Sequence, residues 1–339
     1  MASLDWTSKE GLVLQDSGRT LGGRRSGLSH AGMEVVPVTV CIAALCLNGR
    51  VVVCASDRMI TAADIQFEPP QRKVWQLTTA TCLLTAGDTS FQTQICQRVD
   101  EEVRDRVTQS PDDWWRVRDV ADIYVKYYNL ERLRRSEQSV LAPLGMDGAA
   151  FLQQQRNMEP NLVERIANDL TNCPMPEAAT IIAGRDQTGG HIYLALDGIL
   201  SCRDSTGFAA IGAGMWHASS QFMFAGHSSS ADFPTTLLLA YTAKRRAEVA
   251  PGVGTSTDMH IIGPGLGSYS ALQPDALGSL DGLYRGIRGG ERRATERANQ
   301  KIATYIAELV KATAGQPAPS PTDEGSLDKL EADESRGSA

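Results

Sequence analysis

Four residues in the first part of the chain have groups that could catalyse acyl transfer: Thr39, Asp57, Lys73 and Gly87. Thr39 opens an alternating apolar run that reaches Asn48-Gly49, and the apolar run after this turn ends at Asp57. Asn-Gly between two β-branched runs predicts a hairpin with a two-residue turn, because both residues tolerate a positive φ. Antiparallel pairing then places Thr39 beside Asp57 without any assumption about the tertiary fold. A nucleophile, a carboxylate, an amine and a glycine turn form a candidate catalytic set.

This stretch resembles the proteasome β-subunit family of N-terminal-nucleophile hydrolases, including its bacterial branches. Within residues 39–87, Lys73 and Gly87 stand at the separation that the family keeps between its lysine and its oxyanion glycine. The likeness returns within residues 178–263, where the segments that look like the family's central hairpin are 181–186, 190–193 and 197–198. The resemblance implies threonine-type hydrolysis of peptide or amide bonds.

The chemistry of this set depends on the α-amine of Thr39. A threonine hydroxyl is a weak nucleophile until a base takes its proton, and a free α-amine, with a pKa of about 8, can be that base. Thr39 must therefore be the first residue of the mature chain. Lys73 close to the hydroxyl would favour its ionised form, Asp57 would hold the lysine charged and oriented, and the N–H of Gly87 would face the oxyanion. Taken singly, a strand threonine, a turn aspartate and an edge lysine are ordinary features, but their order and spacing favour catalysis.

Two positions depart from the family pattern. Proteasomal members carry a serine, which supports the threonine amine, where Ala213 stands in a Gly-Ala-Gly turn. A second supporting pair, an aspartate and a serine near a glycine turn, corresponds to residues 248–254, where 250–253 supply neither. Glu248 and Asp258 are the candidate substitutes. We therefore expect altered tuning of the amine, and a subunit without activity remains the second hypothesis.

The 38 residues before Thr39 have the composition of a leader. They contain scattered Gly and Ser, show no sustained period of 2 or 3.6, and lack the apolar core of a signal peptide. Family members commonly cut after a glycine, whereas Val38 precedes Thr39, so both processing and a downstream start at Val38 stay open. We predict a disordered leader or propeptide over 1–38, a hydrolase domain over 39–313 and a disordered acidic tail over 314–339.

Composition excludes several other classes of function. The net charge of −7 argues against a nucleic-acid partner, and no apolar run reaches the 18 residues that would predict a membrane span. The seven cysteines lack a CxxC pair and mostly sit in apolar strands, which favours buried packing in a reducing cytosol. The histidines have no metal-ligand spacing, there is no Gly-x-Ser-x-Gly elbow, and the glycines at 263–267 precede no helical pattern. We therefore expect no metal and no cofactor.

Hydrophobic periodicity supplies the elements that must position the candidate set. The predicted strands are 39–47, 50–56, 64–68, 73–77, 81–86, 178–184, 190–196, 207–212 and 258–262. The predicted helices are 89–107, 112–141, 159–170, 216–225, 235–249 and about 290–313, the last with Ile302, Tyr305, Ile306 and Leu309 on one face. This order predicts the α+β class and a four-layer αββα sandwich of two antiparallel sheets.

Together these features predict a cytoplasmic, proteasome-like threonine peptidase or amidohydrolase that acts on peptides or unfolded proteins. A non-catalytic structural subunit and a small-amide hydrolase on the same fold are the alternatives. We expect the second helix to turn an apolar face outward, away from the sheets. This face is formed by Val120, Ile123, Tyr124, Tyr127 and Tyr128. This face, like the resemblance, predicts a homo-oligomeric ring or spiral. If the face packs on residues 146–170 instead, the protein is a monomer.

Overall fold

The computed structural model describes residues 39–62, 65–68, 73–111 and 113–314. The predicted leader at 1–38 lies outside this part of the chain, as does the predicted tail from residue 315 onward. In chain order the strands of the described residues are β1 (Cys41–Cys46), β2 (Val51–Asp57), β3 (Ile60–Ala62), β4 (Ile65–Phe67), β5 (Val74–Gln76), β6 (Thr81–Gly87), β7 (Ala178–Asp186), β8 (Gly189–Leu196), β9 (Ile199–Cys202), β10 (Phe208–Ile211), β11 (Thr257–Ile262) and β12 (Tyr269–Ala271).

Helices occupy two long stretches between the strands and one after them. The α-helices of the described residues are α1 (Thr89–Gln109), α2 (Val117–Val140), α3 (Gly148–Gln154), α4 (Pro160–Thr171), α5 (Met215–Phe224), α6 (Phe233–Ala247) and α7 (Pro274–Ala314). Two single 3₁₀ turns, Ala142–Leu144 and Gln155–Asn157, flank α3.

The strands form two five-stranded sheets in which every pairing is antiparallel. The first sheet has the order β10-β1-β2-β11-β12, and the second has the order β5-β6-β7-β8-β9. β3 and β4 pair separately as a two-stranded ribbon. The prediction of a mixed protein with two antiparallel sheets is therefore confirmed.

The β1–β2 hairpin forms around the Asn-Gly turn, as predicted. Asn48 and Gly49 adopt φ angles of 56° and 74°, which give the turn the twist that the flanking strands require. At the open end of the hairpin, the Asp57 amide donates to the Val40 carbonyl at 3.2 Å. This register places Thr39, the residue before Val40, beside Asp57.

Three apolar clusters determine how the sheets and helices pack. The middle cluster fills the space between the two sheets and takes alternate side chains from β1, β2, β6 and β7. The other face of the first sheet packs against α5, α6 and the start of α7, and the other face of the second sheet packs against α1 and α2. Each fully buried Val, Leu or Ile in these clusters stabilises the fold by about 1.5–3 kcal/mol.

The apolar face of α2 is buried, and the expectation that it lies outside is wrong. Val120, Ile123, Tyr124 and Tyr128 are at most 4% exposed and pack with α1 and the second sheet. Tyr127 is partly buried against the same cluster. A helix in the outer layer turns its apolar face toward the sheet that it covers, because only that side offers apolar contacts. Residues 146–170, the other predicted partner of this face, pack mainly around a separate small cluster and do not account for this burial.

Helix α7 differs most from its predicted bounds, since it begins at Pro274 and is 41 residues long. Its first turns pack on α6, whereas residues 291–311 are exposed throughout. Periodicity also missed β3, β9, β12 and α3, each of which has seven residues or fewer. Within the described part of the chain, no helix is long and apolar enough to cross a bilayer.

Candidate active site

The hydroxyl of Thr39 donates a hydrogen bond to Oδ1 of Asp57, as the hairpin predicts. Thr39 lies just before β1, and Asp57 is the last residue of β2. Both side chains are buried, with Thr39 2% exposed and Asp57 fully covered. The local sequence therefore brings the candidate nucleophile and the candidate carboxylate into direct contact.

Lys73 reaches both of these residues from the opposite sheet. It stands immediately before β5, and its Nζ lies 3.0 Å from Oδ1 and 3.1 Å from Oδ2 of Asp57. The same Nζ donates a hydrogen bond to the hydroxyl oxygen of Thr39. Lys73 is 13% exposed in its side chain, so little water screens this ion pair. An ammonium placed at the hydroxyl favours the negative charge that the oxygen develops when it loses its proton.

Three backbone amides complete the environment of the Asp57 carboxylate. The N–H of Val40 donates to Oδ1 at 2.9 Å. The N–H groups of Met59 and Gly254 donate to Oδ2 at 2.9 Å and 3.0 Å. A fully buried carboxylate is tolerable only when its oxygens are paired in this way, because desolvation of an unpaired charge is costly. These donors fix the carboxylate in one orientation, which in turn orients Lys73.

Gly87 lies at the same end of the second sheet as Lys73, because β6 ends where its antiparallel neighbour β5 begins. It ends β6 with φ +111°, and a Cβ there would lie 2.1 Å from the Glu177 carbonyl oxygen, so glycine is required. The Cys41 thiol is 3.5 Å from the Thr85 carbonyl, which joins the strand after Thr39 to the strand that ends at Gly87. Among the described residues no hydrogen bond joins Gly87 to Thr39, Asp57 or Lys73. Its role as the oxyanion donor therefore stays a prediction.

The Gly212-Ala213-Gly214 turn packs directly on Thr39. Gly212 has φ +88°, and a Cβ there would lie 2.4 Å from the Thr39 carbonyl oxygen and 2.6 Å from its Cγ2. The N–H of Gly214 donates to the same carbonyl oxygen at 3.1 Å. The turn thus holds the backbone of Thr39, while Ala213 brings no hydroxyl to this side of the residue.

The two candidate substitutes for the missing supporting pair are engaged elsewhere. Glu248 accepts a hydrogen bond from Lys244 at 2.7 Å. Asp258 accepts from Arg58 at 2.8 Å and 2.5 Å in a bidentate ion pair. Neither carboxylate has a hydrogen bond to Thr39 in the described part of the chain, so the hypothesis that either one supports its amine gains no support from these contacts.

Sequence reasoning missed Lys244 and Glu68, which hold the turn that carries the Gly254 amide. Lys244 has no exposed side-chain surface and donates to the carbonyls of Gly254 and Thr255 at 2.8 Å and 3.0 Å. Glu68 accepts from the Ser256 amide at 3.1 Å and also from its hydroxyl. Helical periodicity could have found Lys244, because it shares the face of α6 on which alanines recur at 240, 243 and 247.

The cysteine nearest to the site is not an alternative nucleophile. Burial raises the pKa of the Cys41 thiol to about 12, against the lowering effect of the Lys73 charge. A thiol with such a pKa stays protonated at neutral pH, and the thiolate is the reactive form. The described residues also contain no group of three or more His, Cys, Asp or Glu side chains that could hold a metal ion.

A search with models of protein families found no match to this chain, and a search of curated proteins found no significant relative. The chemistry has to be inferred from the site itself. A hydroxyl, an ammonium and a carboxylate in mutual contact, held by backbone donors, form an arrangement that can activate an oxygen nucleophile.

Proposed function

We propose that this protein is a threonine-type N-terminal-nucleophile hydrolase that cleaves peptide or amide bonds. The observation that carries the proposal is the position of Lys73 Nζ, which contacts both the Thr39 hydroxyl and the Asp57 carboxylate. The three residues come from two different sheets. Their convergence is expected of a catalytic set and is not required by the packing of either sheet.

The layer arrangement supports the same proposal. Two antiparallel sheets pack face to face through one apolar cluster, and helices cover both outer faces. We take this as the αββα sandwich of the N-terminal-nucleophile hydrolases and of proteasome β-subunits. Thr39 precedes β1 of the first sheet and contacts Lys73, which precedes the edge strand β5 of the second sheet.

The proposed reaction begins after the bond between Val38 and Thr39 is broken, since the mechanism needs the free α-amine. The amine takes the hydroxyl proton while Oγ of Thr39 attacks the carbonyl carbon of the substrate. Lys73 stabilises the charge on Oγ, and the N–H of Gly87 donates to the oxyanion of the tetrahedral intermediate. The intermediate collapses to an ester on Thr39 as the leaving amine takes the proton. Water then attacks the acyl carbon of the ester, the bond to Oγ breaks, the acyl group leaves as a carboxylic acid, and the Thr39 hydroxyl is restored.

A non-catalytic subunit of the same fold is the second candidate function. The observation that favours it is the Gly-Ala-Gly turn at Thr39, which lacks the hydroxyl expected beside the α-amine. A small-amide hydrolase would share the catalytic set and differ only in the size of the substrate that it accepts.

Exposure of Thr39 and covalent labelling test the proposal together. Intact-mass analysis of the natively expressed protein should show a chain that begins at Thr39, and this species should hydrolyse fluorogenic peptides. A peptidyl electrophile should add to Thr39, and Thr39→Ala should abolish both labelling and turnover without loss of fold. A folded protein that begins at Thr39 and shows neither reaction would support the non-catalytic subunit. Turnover of small amides but not of peptides would support the small-amide hydrolase.

A further inference from the structure

Lys244 is a buried cation that the proposed reaction does not use. Its side chain is completely covered, and it lies on α6 among residues that pack against the first sheet. A buried ammonium is costly unless every N–H finds an acceptor, so its partners indicate why it is retained.

The partners of Lys244 use all three of its donors. Nζ lies 2.7 Å from Oε1 of Glu248, 2.8 Å from the Gly254 carbonyl oxygen and 3.0 Å from the Thr255 carbonyl oxygen. Glu248 is the C-cap residue of the same helix, whereas the two carbonyls belong to the loop before β11. The ammonium therefore joins α6 to this loop.

Gly254 connects Lys244 to the catalytic carboxylate. Its carbonyl accepts from Lys244, and its amide donates to Oδ2 of Asp57 at 3.0 Å. A Cβ on Gly254 would lie 2.2 Å from Glu68 Oε1 and 2.9 Å from the Met59 Cβ, so the loop fits closely around this residue. The amide can therefore reach Asp57 only while the loop keeps this position.

The electrostatics agree with this connection. Burial lowers the pKa of Lys244, and the negative charges of Glu248 and Asp57 oppose that shift. The opposing influence of Asp57 on this pKa agrees with the hydrogen bonds that join Lys244 to Asp57 through Gly254.

We infer that Lys244 is a positioning residue, which sets the orientation of Asp57 through the Gly254 amide and so aligns Lys73 with the Thr39 hydroxyl. The inference rests on the proposed function and names a contributor to that site outside the Thr39, Asp57, Lys73 and Gly87 set. A misplacement of about 1 Å in a catalytic group can cost about 100-fold in rate. A residue that touches no substrate can therefore affect turnover when it holds such a group in place.

Kinetics of Lys244→Met test the inference, with Lys126→Met as the matched control. Lys126 makes an ion pair of the same length with Glu102, 2.7 Å, but its side chain is 52% exposed. We expect Lys244→Met to lower kcat about 10- to 100-fold with KM changed less than about 2-fold, because orientation and not binding is lost. Lys126→Met should keep both constants. A folded Lys244→Met protein with the kcat of the original chain would overturn the inference.

A double-mutant cycle separates positioning from a general effect on stability. If Lys244 acts through Asp57, Lys244→Met should cause little further loss of kcat in an Asp57→Asn background. Full additivity of the two losses would overturn the inference. If Lys244→Met does not fold, Lys244→Gln replaces it. Its shorter, neutral side chain offers two N–H donors for the three acceptors, so kcat should still fall, by a smaller factor than that expected for methionine, and the Gly254 amide should exchange faster. Full activity in Lys244→Gln together with unchanged Gly254 exchange would overturn the inference.

Hydrogen exchange at the Gly254 amide gives a result that does not depend on activity. This amide should exchange slowly in the original chain and faster in Lys244→Met, while Lys126→Met should leave it unchanged. Unchanged exchange in Lys244→Met would overturn the inference. If the original chain hydrolyses nothing and takes no label, the proposed function fails, and exchange still decides whether Lys244 holds the amide on Asp57.

Discussion

At the scale of single residues, Asp57 is the centre of the site. It accepts hydrogen bonds from the Thr39 hydroxyl, from Lys73 and from three backbone amides, although its side chain is fully buried. Most of these donors are backbone groups, which cannot adopt other rotamers. The carboxylate is therefore preorganised before any substrate binds, which lowers the reorganisation that a reaction would require.

Replacement of Lys73 tests the role of the ammonium at the hydroxyl. Lys73→Ala should lower kcat by about 100-fold or more, since the charge that stabilises the Thr39 oxygen is lost. Steady-state kinetics measure the effect, and circular dichroism and sedimentation check the fold. Lys126→Ala, at an exposed ion pair, is the control that should keep full activity. Turnover of Lys73→Ala equal to that of the original chain would contradict the mechanism.

Gly212 offers a second test, with Gly226 as its control. Both have a positive φ, +88° and +58°, but a Cβ on Gly226 meets nothing within 4 Å, whereas one on Gly212 meets the Thr39 carbonyl at 2.4 Å. Each substitution by alanine should cost about 1 kcal/mol of backbone strain. Gly212→Ala should lower the free energy of unfolding by about 1–3 kcal/mol more than Gly226→Ala does. It should also remove activity, because Thr39 must move. Chemical denaturation and peptide turnover would show this, and equal effects of the two variants would contradict the close packing.

At the scale of elements, α2 shows how a helix can be predicted correctly and oriented wrongly. Its apolar face packs inward, and the opposite face carries charged side chains. Glu131 is the exception, since it is buried and bonded to two arginines: Arg134 at 2.6 Å and 2.8 Å, and Arg135 at 2.9 Å. The hydrogen bonds from Arg134 lower the pKa of Glu131 from its ordinary 4.5 to about 2, against the effect of burial.

This shift predicts how the stability of the protein depends on pH. Because the folded pKa of Glu131 is lower than the unfolded one, its contribution is present above pH 4.5 and is lost as pH falls toward about 2. Glu131→Gln should therefore lower the free energy of unfolding at pH 7 by about 1–2 kcal/mol, a value reduced because solvent screens the arginines. The difference should vanish near pH 2.

Denaturation curves across this pH range measure the difference. Asp122→Asn is the control, since Asp122 pairs with Arg118 on the surface and its side chain is 55% exposed. The control should change the free energy of unfolding by less than about 0.5 kcal/mol. A loss in Glu131→Gln that is the same at pH 7 and pH 2 would argue against the assigned shift.

At the scale of the whole molecule, a ring or spiral of copies would have to form through surfaces other than the apolar face of α2. The face of α2 is buried, so it is not available to a second copy. Large apolar side chains remain exposed on α5, where Trp216 is 73% and Phe224 is 89% exposed. The proposal of a ring or spiral therefore rests on the family resemblance, and the exposed side chains are compatible with it.

Sedimentation velocity at micromolar concentration tests the assembly. A head-to-tail contact between copies should give a closed ring or a concentration-dependent series of larger species. The expected result is a sedimenting species of several times the mass of one chain, which is 36.6 kDa for the full sequence and smaller once residues 1–38 are removed. A single species with the mass of one chain, 36.6 kDa or less, would reject the assembly.

The sequence by itself determined the local part of the site. Asn48-Gly49 sets the register of one hairpin, and that register brings Thr39 to Asp57 whatever surrounds them. Such contacts are predictable because a turn type and an alternating pattern leave only one pairing. Most helices and strands could also be predicted from the sequence, since the apolar residues of each repeat with the period of a helix or a strand.

Only the tertiary structure decided which distant groups meet at that hairpin. Lys73 arrives from the other sheet, and the Gly254 amide arrives from a loop that Lys244 holds through its backbone carbonyls. The buried side of α2 was decided in the same way, by the sheet that covers it. Every residue has a backbone carbonyl, and every residue except proline has a backbone N–H, so no pattern of side chains reveals which of them a buried charge will bind.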